Sequence, residues 1–277
     1  YFKPSSSTGM MQTSDGTFGG LCPDGFVYNL EVEDNHTYIA DNFVVHNCHH
    51  SFSSKSWQRI LNEYKNSFIL GLTATPINRT GGGMQHCADV MVKCPSIQEL
   101  TDLGYLVPAR YFCPSIPDLS KLKIVAGDYV QNELEARVNI PKLIGDVLEN
   151  WSKIAPTRKT LVFATSVKHS INICEGFKSI GVKAEHIDGK TNSHDRDRIV
   201  KEFKTGDLQV LSNCAVFNEG FDCPEASALI FARPTKSLLL YLQVAGRVLR
   251  PSQGKSDCTI IDHSGVIYEH GLLNQDW

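Results

Sequence analysis

No Gly-x4-Gly-Lys-Ser/Thr run occurs in the 277 residues, which excludes a self-contained phosphate-cradling loop of the P-loop kind. The nine cysteines, at 22, 48, 87, 94, 113, 174, 214, 223 and 258, include no Cys-x2-Cys pair. They read as reduced intracellular thiols, neither a disulfide framework nor a zinc site. His263 likewise lacks a second ligand at metal-binding spacing and reads as structural, so no metal site is expected. No apolar run approaches the ~20 residues that span a bilayer, and no secretion signal opens the chain. Cytoplasmic residence without a membrane partner is the default expectation. Charge of one sign is also missing: 27 basic against 30 acidic residues leave a formal −3. That balance neither requires nor excludes nucleic acid, because a local basic groove is compatible with a near-neutral total. What remains, 30.7 kDa with 42% hydrophobic residues, is enough for a sizeable core and predicts two domains.

Among the residues that are present, His46-Asn47-Cys48 carries the most chemistry. An asparagine amide can attack its own main-chain carbonyl, close a succinimide and release the following peptide bond. The leaving group here would be the amine of Cys48, with His46 protonating it or polarising the carbonyl. Cys48 would then present a thiol suited to thioester exchange. Three residues alone read as a loop beside a strand. The context is more specific: residues 27–33 alternate, Asp34-Asn35 and Asp41-Asn42 mark turns, and 36–40 and 43–45 read as short strands of a small all-β unit.

The stretch VYNLEVEDNHTYIADNFVVHN followed by Cys resembles the C-terminal end of an intein, over roughly residues 26–48. The resemblance implies that Asn47 cyclises, that His46 assists it, that His36 is the histidine of the preceding block, and that Cys48 opens the downstream host protein. An intein's opening nucleophile is not found in residues 1–25. Cys22 lies too near the C-terminal block and reads as a loop cysteine, and residues 1–20, rich in Ser, Thr, Gly and Met, read as a flexible join.

Downstream, the period changes. Residues 51–65 predict a helix with Trp57, Ile60, Leu61 and Tyr64 on one side, and 68–72 a short buried strand ending at Thr73-Ala74-Thr75-Pro76. A helix is expected at 97–103, an extended connection at 105–114, and a long helical stretch at 134–153 restarted around Pro141. Strands at 160–164, 182–187, 208–211, 228–232 and 258–262 alternate with helices at 167–180, 195–204 and 238–248. Such alternation predicts a mostly parallel sheet covered on both faces. Ligands of these sheets gather beyond the strand C-termini, which predicts one functional rim holding Thr165-Ser166, Asp188-Gly189-Lys190, residues 213–222 and Arg233.

In Gln243-Val244-Ala245-Gly246-Arg247-Val248-Leu249-Arg250, helical spacing puts Gln243, Arg247 and Arg250 on one face. Two guanidinium groups there suit bidentate phosphate contacts, and Gly246 permits close approach. Standing alone the face would read equally as a solvated charged surface. Asn218-Glu219-Gly220-Phe221-Asp222, expected on the same rim, tips the reading towards a nucleotide.

In order, CHH, GLTATP, FATSVKHS, SNCAVFNEGFDCPEA and QVAGRVLRP resemble a superfamily-two DEAD/DEAH-type helicase over residues 48 to about 270. The resemblance implies ATP and Mg2+ as cofactors and a RecA-like α/β fold. It makes Cys48-His49-His50 the second half of an Asp-Glu-x-His motif interrupted by the intein, with His49 facing the γ-phosphate. Thr73 and Thr75 would couple the sites, Gln243 and Arg247 contact phosphates, and Arg250 act as arginine finger, while Gly220 and Asp222 serve nucleotide contact. Thr165, Ser166, Gly189, Lys190 and Asn213 would line a nucleic-acid track through backbone contacts. The tails RPTKS and DHSG look most like the bacterial and phage branch, favouring double-stranded DNA over RNA. The expected organisation is an intein end at 1–47, the end of a first RecA-like domain at 48–110, a connecting region at 111–155 and a complete second RecA-like domain at 156–277. The phosphate loop and the magnesium-holding Asp-Glu pair, both absent here, are expected in missing N-terminal helicase and intein segments. Two readings of other classes stay open: an inert nucleic-acid-binding module, and a self-processing protein with a passenger helicase domain.

Overall fold

The computed structural model describes residues 37–40, 43–46, 59, 68–71, 75, 90–93, 95–125, 127–216 and 223–275. They belong to two compact units, one comprising Tyr1–Pro76 with Gln85–Cys87 and the other Ile77–Met84 with Ala88–Trp277.

In the first unit β1 (Thr37–Ala40) and β2 (Phe43–His46) pair antiparallel, Thr37 opposite His46 and Ala40 opposite Phe43. Strands are thus found where short strands are expected at 36–40 and 43–45. β2 then pairs in parallel with β3 (Phe68–Gly71), Val44 opposite Ile69 and His46 opposite Gly71. A self-contained all-β unit ending at residue 47 would pair its strands among themselves. Here β2 shares a ladder with a strand from beyond that boundary, so the described strands form a mixed sheet and the expected all-β unit is not seen. Parallel neighbours need a long crossover, supplied by residues 47–67, in which Arg59 is helical. The remainder of the helix expected at 51–65 lies outside the described residues.

The second unit opens with α1 (Ile97–Asp102). Ser96 caps it: its Oγ accepts the Glu99 N–H while the Glu99 carboxylate accepts the Ser96 N–H at 2.7 Å, a reciprocal box that fixes the helix start. There follow β4 (Ala109–Phe112), a small hairpin of β5 (Ile124–Val125) and β6 (Asp128–Tyr129), then α2 (Gln131–Val138) and α3 (Pro141–Ile154). Pro141 sits at the start of α3, where its missing N–H has no intrahelical partner to lose. The restart expected around Pro141 is thus seen. The remaining elements are β7 (Thr160–Ala164), α4 (Val167–Ser179), β8 (Ala184–Ile187), α5 (Ser193–Thr205), β9 (Val210–Asn213), β10 (Ala228–Ala232), α6 (Leu238–Val248), β11 (Cys258–Asp262) and α7 (Val266–His270).

Six strands form one parallel sheet in the order β4-β11-β10-β7-β9-β8. Two boundaries move from their predicted places. β4 is the edge partner of β11, so the extended connection expected at 105–114 contributes a sheet strand and the boundary drawn at residue 110 falls within it. β9 runs on through Ser212 and Asn213, which are fully buried; polarity ended the predicted strand early because a hydrophobic run cannot register polar residues whose partners are inside. The region 111–155 is likewise no mere connection, since α3 buries Val147 and Trp151 in the core.

The two faces of the sheet carry separate cores. Leu161 and Phe163 of β7 with Leu229 and Phe231 of β10 pack towards Phe203 of α5 and Tyr241, Val244 and Val248 of α6. Val162 and Ala164 with Ile230 point the other way, onto Trp151 of α3 and Ile173 and Phe177 of α4. This is period-two alternation in strands buried on both sides, which read as unbroken apolar runs. Trp151 meets Phe177 edge-on at 5.0 Å between centroids and donates its indole N–H to Thr160 Oγ1 at 2.8 Å, so its polar atom is satisfied inside the core. No helix among the described residues is long and apolar enough to cross a membrane.

Candidate functional site

Because the strands are parallel, β7, β8, β9 and β10 finish at a common rim, where Thr165, Asp188, Asn213 and Arg233 follow or end them. The rim exists as expected, but its residues are not equally available. Thr165 is 1% exposed and its hydroxyl donates to Ala232 O; Asn213 is also 1% exposed and donates from Nδ2 to Val162 O at 2.8 Å. Ser166, 7% exposed, caps α4 by accepting the His169 N–H. All three side chains therefore hold the rim together, each bonded to a partner inside the domain. Gly189 and Lys190 are exposed. Their turn is shaped by Asp188, whose Oδ1 accepts the N–H groups of Lys190 and Thr191 at 2.8 and 3.0 Å, an Asx turn. Burial pushes the Asp188 carboxyl up, but the Lys190 N–H, His186 and Thr191 outweigh it and hold it below the ordinary carboxylate range.

A segment that local pattern did not mark covers part of this rim. Gln131, first residue of α2, donates to Thr165 O at 3.0 Å. Asp128 of β6 accepts the Thr235 hydroxyl at 2.8 Å and the Lys236 N–H at 2.9 Å, and lies 3.7 Å from the Arg233 guanidinium, which also sits over the Phe163 ring. The Asp128 contacts join residues more than a hundred positions apart in sequence, a separation no local periodicity reports.

The arginine-bearing element leads away from the rim. α6 starts just beyond β10, where Ser237 Oγ accepts the Leu240 N–H, and its eleven residues span about 16 Å, the length of a five-residue strand. It therefore ends at the opposite edge of the sheet. Leu249 O accepts the Val107 N–H at 2.8 Å, two residues before β4 begins, and Arg250 O accepts Lys255 Nζ at 2.8 Å. The single rim expected for both sets of residues is thus two edges. Gln243 and Arg247 share a face of α6, half-buried and buried respectively, but Arg250 lies past the Leu249 C-cap and is exposed. A Cβ added to Gly246 would meet no described atom within 4 Å, so no packed element of the described chain explains that glycine.

Of the other predicted residues, His46 ends β2 opposite Gly71 and Thr75 is buried at 5% exposure. His36, Asn47, Cys48, His49, Thr73, Gly220 and Asp222 lie outside the described residues. The donor set Gln243, Arg247 and Arg250 fits phosphate oxygens, being two guanidinium groups and an amide on or just beyond one helix face. Magnesium is a different matter: among the described residues no group of three His, Cys, Asp or Glu is placed to hold a metal ion.

Residues 140–252 match the family model of the helicase conserved C-terminal domain, and residues 27–78 that of the Type III restriction enzyme res subunit. The chain is 35% identical over 231 residues to the 51.5 kDa protein of a Lactococcus phage (isolate 7-9), covering 82% of this chain and 50% of that protein. It is 29% identical over 266 residues to IRC3 of Saccharomyces cerevisiae, named as an ATP-dependent helicase, covering 86% and 38%. In structure it is similar to a fragment of an HsdR subunit of a type I restriction enzyme from Vibrio vulnificus, with a TM-score of 0.66 and 18% identity over 83% of this chain and 45% of that one. The chain spans half or less of the length of these curated relatives. Four of the six sheet strands, β7 to β10, and the arginine-bearing helix α6 lie within residues 140–252, so this region is the part of the chain that matches the helicase conserved C-terminal domain.

Proposed function

We propose that the chain is the C-terminal motor portion of an ATP-dependent helicase or translocase acting on double-stranded DNA. One observation carries this reading: a single parallel sheet presents two chemically distinct edges. Gln243, Arg247 and Arg250 lie towards one, suited to nucleotide phosphates, and the exposed Gly189-Lys190 turn lies at the other, suited to a nucleic-acid backbone. ATP bound at the arginine edge supplies the phosphoryl group whose transfer drives movement. The chain's own contribution is to hold guanidinium charge where negative charge gathers on the phosphate oxygens. Magnesium and the γ-phosphate cradle belong, in this reading, to N-terminal segments of the same protein. The reading favours DNA through the RPTKS and DHSG tails.

The purified 277-residue chain is expected to show no ATP turnover above background, because its arginines have no phosphate loop to complete. Intact protein is expected to turn ATP over faster when duplex DNA is added. Turnover by the isolated chain, proportional to its concentration and free of contaminant, would sink this reading. DNA-independent turnover with RNA stimulation would redirect its substrate.

A second reading concerns His46-Asn47-Cys48 and is favoured by the sequence through residues 26–48. In it Asn47 cyclises, His46 assists the departure of the Cys48 amine, and the Asp-Glu-x-His motif is restored by splicing. Mass spectrometry of freshly expressed chain should then detect a fragment ending at residue 47, and Asn47→Ala should abolish it. An uncut chain over days at neutral pH would remove the reading without touching the motor proposal.

A further inference from the structure

At the arginine edge one side chain does more than local pattern indicated. The Lys255 ammonium donates to three main-chain carbonyls: Pro224 O at 2.8 Å, Ala226 O at 2.7 Å and Arg250 O at 2.8 Å. An ammonium has three protons, and all three are used. Two acceptors lie in the turn entering β10, the third in the residue just beyond α6. The chain is brought back to this point by a turn in which the Lys255 N–H bonds to Ser252 O and Gly254 takes φ +77°, a conformation that favours glycine. Helix C-termini leave carbonyls without intrahelical donors, and a cation there is favourable. Lys255 places a cation just beyond the end of α6 and ties that end to a second segment.

Resting on the nucleotide reading above, we propose that Lys255 is a positioning residue that locks Arg250 against the Pro224–Ala226 turn, so that the arginine reaches the nucleotide in one geometry. The side chain is half-buried, and burial pushes its ammonium down to about 8; Cys258, Cys223 and Glu225 favour the charged form and Arg158 opposes it. Three carbonyl acceptors within hydrogen-bond distance argue that it is charged. A neutral amine would have only two protons for three acceptors. Lys255 itself takes no part in phosphoryl transfer: it acts through the main chain of Arg250.

The test uses Lys255→Met, which keeps an unbranched stem and removes every donor. In the 277-residue chain, hydrogen exchange of amides 223–228 and 249–256 is expected to accelerate about tenfold, with β7 and β9 protected as before. In the intact protein, kcat for ATP is expected to fall about 10- to 100-fold, the scale of an ångström-level misplacement, with KM changed little. Arg250→Ala runs alongside. If Arg250→Ala leaves turnover intact, the nucleotide reading fails and the positioning role falls with it. If Arg250→Ala is impaired and Lys255→Met is not, the positioning role alone is overturned. Loss of protection throughout the sheet with KM rising in step would mean a general structural role and also overturn it. Should Lys255→Met not fold, Lys255→Arg replaces it: a planar fork cannot converge on three carbonyls as an ammonium does, so kcat should still fall with KM unchanged.

Discussion

Replacing Arg250 with alanine in the intact protein is expected to lower nucleic-acid-stimulated ATP turnover by about 10³-fold or more, the range measured for arginine fingers, with a far smaller effect on nucleotide affinity. The assignment to Arg250 over Arg247 follows from burial. Arg247 is only 9% exposed, within α6, where its reach is limited. Arg250 is exposed beyond the C-cap, and its main chain is held by Lys255, so a solvent-exposed guanidinium is mounted on a fixed base. A charge that meets the phosphate mainly in the transition state changes kcat, whereas one that binds ground and transition states alike changes KM. Arg247→Ala should therefore show the other signature, a raised KM, accompanied by lower stability from the space it leaves in the core. Steady-state kinetics of the two variants over a range of ATP concentrations separates these outcomes. Equal losses of kcat in both, with KM unchanged, would reject the division of roles.

The parallel sheet was readable because its strands are short apolar runs separated by helical periods. β10, α6 and β11 begin and end where hydropathy alone places them. Legibility failed where polar groups go inside. Ser212, Asn213 and Thr165 have buried hydrogen-bond partners on other elements, which a rule that assigns polar residues to the surface does not register. It failed again where contacts are long-range: nothing near Asp128 announces Thr235, and nothing near Lys255 announces Pro224. The two-edge arrangement needed one further quantity, the length of α6, which carries Arg250 across the sheet from the rim where the helix starts.

Acidification from pH 7 to 4.5 is expected to cost the second unit several kcal/mol of stability, chiefly through two histidines. His169, 2% exposed in the first turn of α4, accepts the Thr165 N–H at ring Nδ1, and burial pushes its pKa down to about 4 against a partial counter-effect of Glu135. His263, 5% exposed after β11, shares a 2.8 Å hydrogen bond with Ser115 Oγ through Nδ1, and its buried Nε2 has no partner among the described residues. Burial depresses it to about 4 as well, against the opposing carboxylates of Asp262 and Asp146. The folded state keeps both rings neutral while the unfolded chain protonates near 6.5. Between those values the unfolded state binds more protons, so stability rises with pH. The contribution is complete above about 6.5 and is lost as pH falls towards 4, at most about 3 kcal/mol per ring. Against a typical total of about 5–15 kcal/mol that is a large fraction. His270, depressed by burial in the same direction, adds to it. Asp188 does not contribute in this window, because a carboxyl held below its ordinary value loses its stabilisation only as pH drops further. Urea unfolding of the 277-residue chain at half-unit steps should therefore show a steep slope between pH 6.5 and 4.5. In His169→Asn/His263→Gln the slope should flatten, even if the variant begins less stable at pH 7, and an unchanged slope would assign the acid response to other groups.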